Sequence, residues 1–153
     1  MELHTMTEQQ KKLVEVATER LGAPYKYGAT KADIPYAFDC SLFTQYIYKS
    51  VGVELPRSTI EQAGVGAIVP DISSLEVGDL IFLRSTHGHY NPTFPEGIGH
   101  AVMYIGDGKA IHARSRRTGE HPIVEEGHVE IDDLSGIIER GKPVVRITRP
   151  LSS

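Results

Sequence analysis

The chain has 153 residues, 40% of them hydrophobic and 24% charged, with a formal net charge of −4. That length holds one domain with a proper core and is too short for two ordinary ones. The acidic balance argues against non-specific binding to nucleic acid or to an anionic membrane, and no apolar run approaches the roughly 20 residues of a membrane helix. The first dozen residues are polar and contain no apolar stretch of the signal-peptide kind, so the expected location is cytoplasmic or reached by a non-classical export route.

The first predicted helix covers 8–21. Thr7 and Gln10 make a capping box in front of it. Leu13, Val14, Ala17 and Leu21 recur on one face, and Gly22 with Pro24 ends it. A loop leads to a second helix over 40–51, closed by Gly52. Ser58 with Glu61 caps a third, short one ending near Ala63. Beyond it the pattern changes to strands: 79–83, 100–105 and 109–113, with Gly106-Asp107-Gly108 turning the last two into a hairpin. Further strands are expected over 123–126, 129–131 and 144–147, and a short helix over 132–140. Helices first and an antiparallel sheet afterwards is an α+β plan. The stretch 84–99, rich in Gly, Pro and His, has no periodicity, and its length suits a lid or wall of a cleft rather than core.

Cys40 is the chain's only cysteine, so no internal disulfide framework exists. A lone cysteine is often an inert small hydrophobe. This one stands at a helix start, in Phe38-Asp39-Cys40-Ser41, where unpaired N–H groups and the helix dipole favour a thiolate. A thiol pKa below the free-cysteine value of about 8.5 is therefore expected. His100 and His112 flank the hairpin turn, roughly across from each other and able to share one sheet face. A thiol with two imidazoles, one as base and one as orienter, is the equipment of a cysteine peptidase. Asp39 reads equally as helix cap and as substrate contact. Arg57 precedes a capping serine and reads as structural or solvated. His87 and His89 form a His-x-His pair, but no third metal ligand accompanies them, so they read as residues lining the cleft. The basic run 114–117 reads as a solvated edge.

Six segments, in order and at sensible spacing, carry a resemblance. They are Gly22-Ala23-Pro24-Tyr25-Lys26-Tyr27-Gly28, Asp39-Cys40-Ser41, Leu55-Pro56-Arg57-Ser58, Val77-Gly78-Asp79-Leu80-Ile81-Phe82, Gly99-His100-Ala101-Val102-Met103-Tyr104-Ile105-Gly106 and Ala110-Ile111-His112-Ala113. With these the chain resembles the NlpC family (NlpC/P-sixty) of cell-wall cysteine peptidases, from about residue 8 to residue 148. The resemblance implies a papain-like α+β fold, with N-terminal helices packed on a small antiparallel β-sheet. It implies one catalytic domain over 1–153, without an accessory wall-binding module.

Carried onto this chain, the resemblance makes Cys40 the nucleophile, His100 the base and His112 the residue that orients the base. It makes Tyr27 the tyrosine whose hydroxyl faces the catalytic site. Asp39 and Ser41 match positions that flank the thiol and bind the substrate's peptide ends, and Arg57, His87 and His89 join them as substrate-binding candidates. The implied activity is a D,L-endopeptidase cutting peptidoglycan stem peptides between γ-D-glutamate and the following diamino acid. The implied partner is a stem peptide or muropeptide, with no nucleic acid, membrane, metal or organic cofactor. An amidase or acyltransferase forming a thioester at Cys40 is the nearest alternative, and an inactive peptidoglycan-binding module is another. The chain departs from the family pattern at Leu42, which replaces a glycine and either crowds the cleft or enters the core. It departs again in the length of 84–99.

Overall fold

The computed structural model of the protein describes residues 6–86 and 89–152. Helix α1, Glu8–Thr18, opens on the expected capping box, with Thr7 accepting from the Gln10 N–H and Gln10 reaching back to the Thr7 N–H. Its buried side is Leu13, Val16 and Ala17. The helix is shorter than its apolar stripe suggested, and Leu21 is 47% exposed. Gly22 takes a left-handed φ of 87° and donates to the Val129 carbonyl at 2.9 Å, so the chain leaves the helix to lie along the sheet.

Helix α2, Cys40–Lys49, is capped by Asp39, which accepts from the Leu42 N–H at 2.8 Å. Leu42, Phe43, Ile47 and Tyr48 are wholly buried. The side chain at the glycine position thus enters the core. Helix α3, Thr59–Gln62, is one turn long and opens at Ser58. Gln62 locks it to α2. Its amide accepts from Thr44 at 2.6 Å and donates to the Ser41 and Pro56 carbonyls at 2.9 and 2.8 Å. The segment carrying Arg57 is held beside the start of α2 by that network.

The strands are β1 (Ala67–Ile68), β2 (Leu80–Leu83), β3 (His100–Gly106), β4 (Lys109–Arg114), β5 (Arg117–Thr118), β6 (Val124–Glu125), β7 (His128–Asp133) and β8 (Val144–Arg149), with helix α4 (Leu134–Gly141) before the last. Six form an antiparallel sheet in the order β1-β8-β2-β3-β4-β7, and β5 and β6 pair separately. The returning strand β8 lies between β1 and β2, a placement no local pattern specifies. Leu80 and Phe82 join the core under α1 and α2, while Ile81 and Leu83 join the core under α4. The unbroken apolar run of β2 follows from this two-sided burial. Where a helix was expected from residue 132, β7 continues to Asp133 and α4 begins at Leu134. This shift keeps Asp132 on the sheet.

The segment before β3 is less open than its composition suggests. His89 and Ile98 exchange two backbone hydrogen bonds at 3.0 and 2.7 Å, and Asn91 accepts from the Phe94 N–H at 2.8 Å. Phe94 and Ile98 are buried in the main core, and the Arg146 guanidinium lies 4.6 Å from the Phe94 ring. Part of the expected lid is therefore core, because one aromatic and one β-branched residue find space under the sheet. Phe94→Ala should cost about 3 kcal/mol, a fall in Tm of roughly 10 °C for a domain of this size. An unchanged melting temperature would show that the segment is only a covering.

Candidate active site

Cys40 is the first residue of α2, and its sulfur lies against the start of β3. The thiol donates to the Gly99 carbonyl at 4.0 Å, and the Ala101 N–H is directed at the sulfur. These two residues bracket His100. The N–H groups of Cys40 and Ser41, freed by the helix start, also point at the sulfur. The helix terminus thus supplies donors both for a thiolate and for an oxyanion formed beside it.

The two histidines meet, though not directly across the hairpin. The register pairs Met103 with Ile111 and Tyr104 with Ala110, with an irregularity between Tyr104 and Gly106. His100 and His112 are therefore diagonal neighbours on one face, within reach because both rings lean together. His100 Nε2 lies 2.7 Å from His112 Nδ1, and His112 Nε2 lies 2.8 Å from Asp132 Oδ2. A carboxylate oxygen accepts, so His112 carries its proton on Nε2 and presents a lone pair at Nδ1. His100 then donates from Nε2, which leaves its Nδ1 unprotonated and available as a base. Asp132 sets the tautomer of both rings.

Asp132 was not among the residues the sequence singled out. It stands on β7, two residues from Glu130, which pairs directly with His112. Alternation along β7 puts both acids on the His112 face. Only the strand register reveals this, since residue 132 also suits a helix start. Donor atoms of His112, Glu130 and Asp132 fall within 4.8 Å of one another, a spacing that could hold a metal ion. In the structure both nitrogens of His112 are engaged in hydrogen bonds, and Glu130 accepts from Arg114 and Arg116.

Tyr27 is 71% exposed, and its ring lies under the Arg117 guanidinium at 4.6 Å. The tyrosine in the field of the thiol is instead Tyr25. Its hydroxyl is held above the usual range, first by burial and then by Cys40 and Asp39. Residues 25 and 27 lie two apart in the chain, and only the burial separates them. Asp39 serves as the cap of α2, and Ser41 donates to it at 3.3 Å. Arg57 donates to Asp39 at 2.6 Å, to Ser41 at 2.7 Å and to the Ala29 carbonyl at 2.6 Å. These three candidates form one polar shelf next to Cys40, with the Arg57 side chain 43% exposed. His89 lines the cavity beside the imidazoles, with Tyr25 and Tyr27. His87 lies outside the described residues.

The electrostatics reverse the expectation for the thiol. Burial, with Asp39 next to it, pushes Cys40 up to about 12, against the lowering by the backbone N–H groups. Burial, with His112 second, pushes His100 down to about 3. Burial likewise takes His112 down to about 4. A dry site penalises the charged form of each group, so the resting pair is neutral thiol and neutral imidazole. His100, with its folded pKa below the ordinary one, stays deprotonated from neutral pH down towards that lower value. The expected kcat/KM is therefore flat from about pH 5 to about pH 8 and falls as pH drops further and His100 is protonated. A bell with both limbs inside that window would refute the neutral pair.

With this geometry in view, the comparisons with known proteins agree with one another. The family model described as NlpC/P60 family matches residues 22–130. A gamma-D-glutamyl-L-lysine dipeptidyl-peptidase of Bacillus cereus is 38% identical over 120 residues, 77% of this chain and 33% of that protein. A probable endopeptidase of Corynebacterium glutamicum is 35% identical over 113 residues, 72% of this chain and 47% of that protein. The crystal structure of an NlpC/P60 family protein from Bacillus cereus matches with a TM-score of 0.71 at 34% identity, covering 93% of this chain and 40% of that one. The chain thus spans a third to a half of the length of these relatives.

Proposed function

The chain belongs to the NlpC/P60 family, and from that premise we propose that it is a cysteine peptidase cutting peptidoglycan stem peptides between γ-D-glutamate and the diamino acid that follows. One observation carries the reading: the line His100–His112–Asp132, whose outer imidazole stands on the strand start that holds the Cys40 sulfur. The name of the Bacillus cereus relative, a gamma-D-glutamyl-L-lysine dipeptidyl-peptidase, supports the bond chosen.

In this reading Cys40 and His100 are the catalytic residues. His100 Nδ1 takes the thiol proton as the sulfur attacks the γ-carbonyl carbon. The oxyanion is met by N–H groups at the start of α2. His100 gives the proton to the leaving amine, and the C–N bond breaks to leave a thioester. Water attacks the thioester carbon while His100 takes its proton, the C–S bond breaks to release the γ-carboxyl product, and the proton on His100 returns to the sulfur. His112 and Asp132 are positioning residues, and Tyr25 takes the role first assigned to Tyr27, with its hydroxyl beside the reacting sulfur. Arg57 and Ser41 bind the glutamyl side of the peptide.

The test is digestion of purified sacculi and of soluble muropeptides, with product masses identifying the bond. New amines on the diamino residue with free γ-carboxyl glutamate are expected. Cleavage of the sugar–peptide amide, or transfer to an added amine without hydrolysis, would replace this reading with an amidase or acyltransferase.

A further inference from the structure

Two carboxylates, not one, face His112. The β4–β7 register sets Glu130 directly opposite it and Asp132 opposite Ala110. Directly opposed side chains are the nearer pair on a sheet face, and diagonal ones lie further apart. Yet the ring N–H meets Asp132 at 2.8 Å, and Glu130 makes no hydrogen bond to the ring among the described residues. Donor atoms of the three groups all fall within 4.8 Å of one another, so Glu130 is near enough to compete.

Glu130 is held elsewhere. Arg116 Nη2 donates to its two oxygens at 3.2 and 3.0 Å, and Arg114 Nη1 donates to one of them at 3.4 Å. His128 Nε2, on the same strand, lies 3.4 Å from the other. The Glu130 side chain is only 11% exposed, so water screens these contacts weakly. The backbone of Arg116 is fixed as well. Its N–H donates to Glu125 and its carbonyl accepts from the Glu126 N–H, both at 2.9 Å. A β-carbon at residue 127 would run into the Arg114 carbonyl, so only glycine lets 114–116 press against the start of β7. Arg116, His128 and Glu130 all stand outside the cavity that His100 and His112 line.

What Glu130 does reaches the base through the imidazole line. With one proton, on Nε2, His112 accepts at Nδ1 from His100. With a second proton His112 would donate there instead. His100 would then accept at Nε2 and carry its own proton on Nδ1, where it blocks the thiol. A carboxylate loose beside His112 favours that second proton. Burial first disfavours the charged ring, Glu130 pulls towards it, and Arg114, Arg140 and Arg116 oppose Glu130. The charged and titratable groups around the ring and its carboxylates are thus His100 on β3, Arg114 on β4, Arg116 just beyond it, His128 on β7 and Arg140 on α4.

Resting on the stem-peptidase reading, we propose that Arg116 and Arg114 are positioning residues: by holding the Glu130 carboxylate they leave Asp132 as the only acceptor for His112 and keep His100 Nδ1 open to the thiol proton. Asp132 chooses the nitrogen that carries the His112 proton, and the arginine clamp on Glu130 prevents a second proton from joining it.

Nitrogen NMR of the histidine rings in Cys40→Ala protein, followed across pH, reads charge and tautomer without turnover. In Arg116→Gln the pH at which His112 gains its second proton should rise by about one unit, the size of shift a neighbouring charge produces. The His100 proton should pass from Nε2 to Nδ1 over the same range. Glu130→Gln alone should lower the midpoint, because the arginines then act on the ring uncompensated. Arg116→Gln combined with Glu130→Gln should return it near the parent, as should Arg116→Lys, which keeps the charge. With Cys40 present, the acid limb of kcat/KM should move with the same signs. A folded Arg116→Gln protein with an unmoved midpoint, or a rise that Glu130→Gln does not reverse, overturns the proposal. Should Arg116→Gln fail to fold, Glu130→Gln decides alone: a lower midpoint supports the clamp, and an unchanged or higher one overturns it. Parent protein that hydrolyses no stem peptide, with the ring shifts as expected, would instead overturn the peptidase reading alone.

Discussion

Cys40→Ala should abolish hydrolysis of the stem peptide while the protein remains folded. The sulfur is the only thiol in the chain, and it sits where α2 begins against β3, with three backbone N–H groups aimed at it. No neighbouring side chain can replace it as the attacking atom. Ser41 is the nearest hydroxyl in the chain, but it is engaged with Asp39 and with Arg57. Removing a nucleophile that acts with its base as a unit typically lowers kcat by about 10⁴-fold or more. The methyl group of alanine fills most of the space of a small, nearly buried side chain, so the fold should be little affected. Turnover is followed by amine release from the tripeptide, with melting temperature as the control for folding. A folded variant that retains a hundredth of the parent rate would remove Cys40 from the mechanism.

The second large effect is expected along the imidazole line. His112→Ala removes the acceptor at 2.7 Å that keeps the His100 proton on Nε2. Without it His100 is free to carry its proton on Nδ1, where it blocks the thiol. Loss of a ring orienter in a comparable triad costs about 10³- to 10⁴-fold, and the same order is expected here. His112→Gln should recover part of that loss, because an amide oxygen can accept the same bond. Asp132→Ala leaves both rings in place and removes the contact at 2.8 Å that fixes their tautomer, together with the looser approach of Arg140 at 3.9 Å. One charge-assisted hydrogen bond amounts to about 1.5 to 3 kcal/mol, so kcat should fall roughly 10- to 100-fold. Both residues act on the reaction through His100, so the loss should fall on kcat more than on KM. Parental kcat in a folded Asp132→Ala protein would break the relay, and a heavier loss at His112 than in His100→Ala would exchange the roles of the two rings.

Much of this protein is legible in its sequence because many of its decisive features are local. Thr7 with Gln10 and Ser58 with Glu61 sit three residues apart, within the one turn that a cap requires. Asp39 beside Cys40 marks a helix start, and with it the thiol, from four consecutive residues. Asp107 and Gly108 adopt the left-handed φ values that close a two-residue hairpin, which brings the His100 and His112 strands together. These depend on neighbours in the chain, and the chain itself states them.

What the sequence left open depends on register and burial, which the whole fold decides. Asp132 completes the relay only because β7 runs to residue 133 and pairs Glu130 with His112, whereas local pattern allowed a helix there. Tyr25 and Tyr27 belong to one motif, and burial puts Tyr25 in the field of the thiol while leaving Tyr27 exposed under Arg117. The helix start favours a thiolate, yet the dry contact with β3 outweighs a few N–H groups and holds the thiol neutral, because removing water from a charge costs more than those donors return. Phe94 and Ile98 turn a loop of polar composition partly into core. Arg114, Arg117 and Arg140 arrive from separate elements, and only the packing of α4 against the sheet makes them neighbours around the cavity that holds His100 and His112. Local chemistry in the chain singled out Cys40 and His100 as the candidate pair, and tertiary packing decides their surroundings: the burial that disfavours charge on both, the carboxylate at the end of the imidazole line and the shape of the cavity beside them.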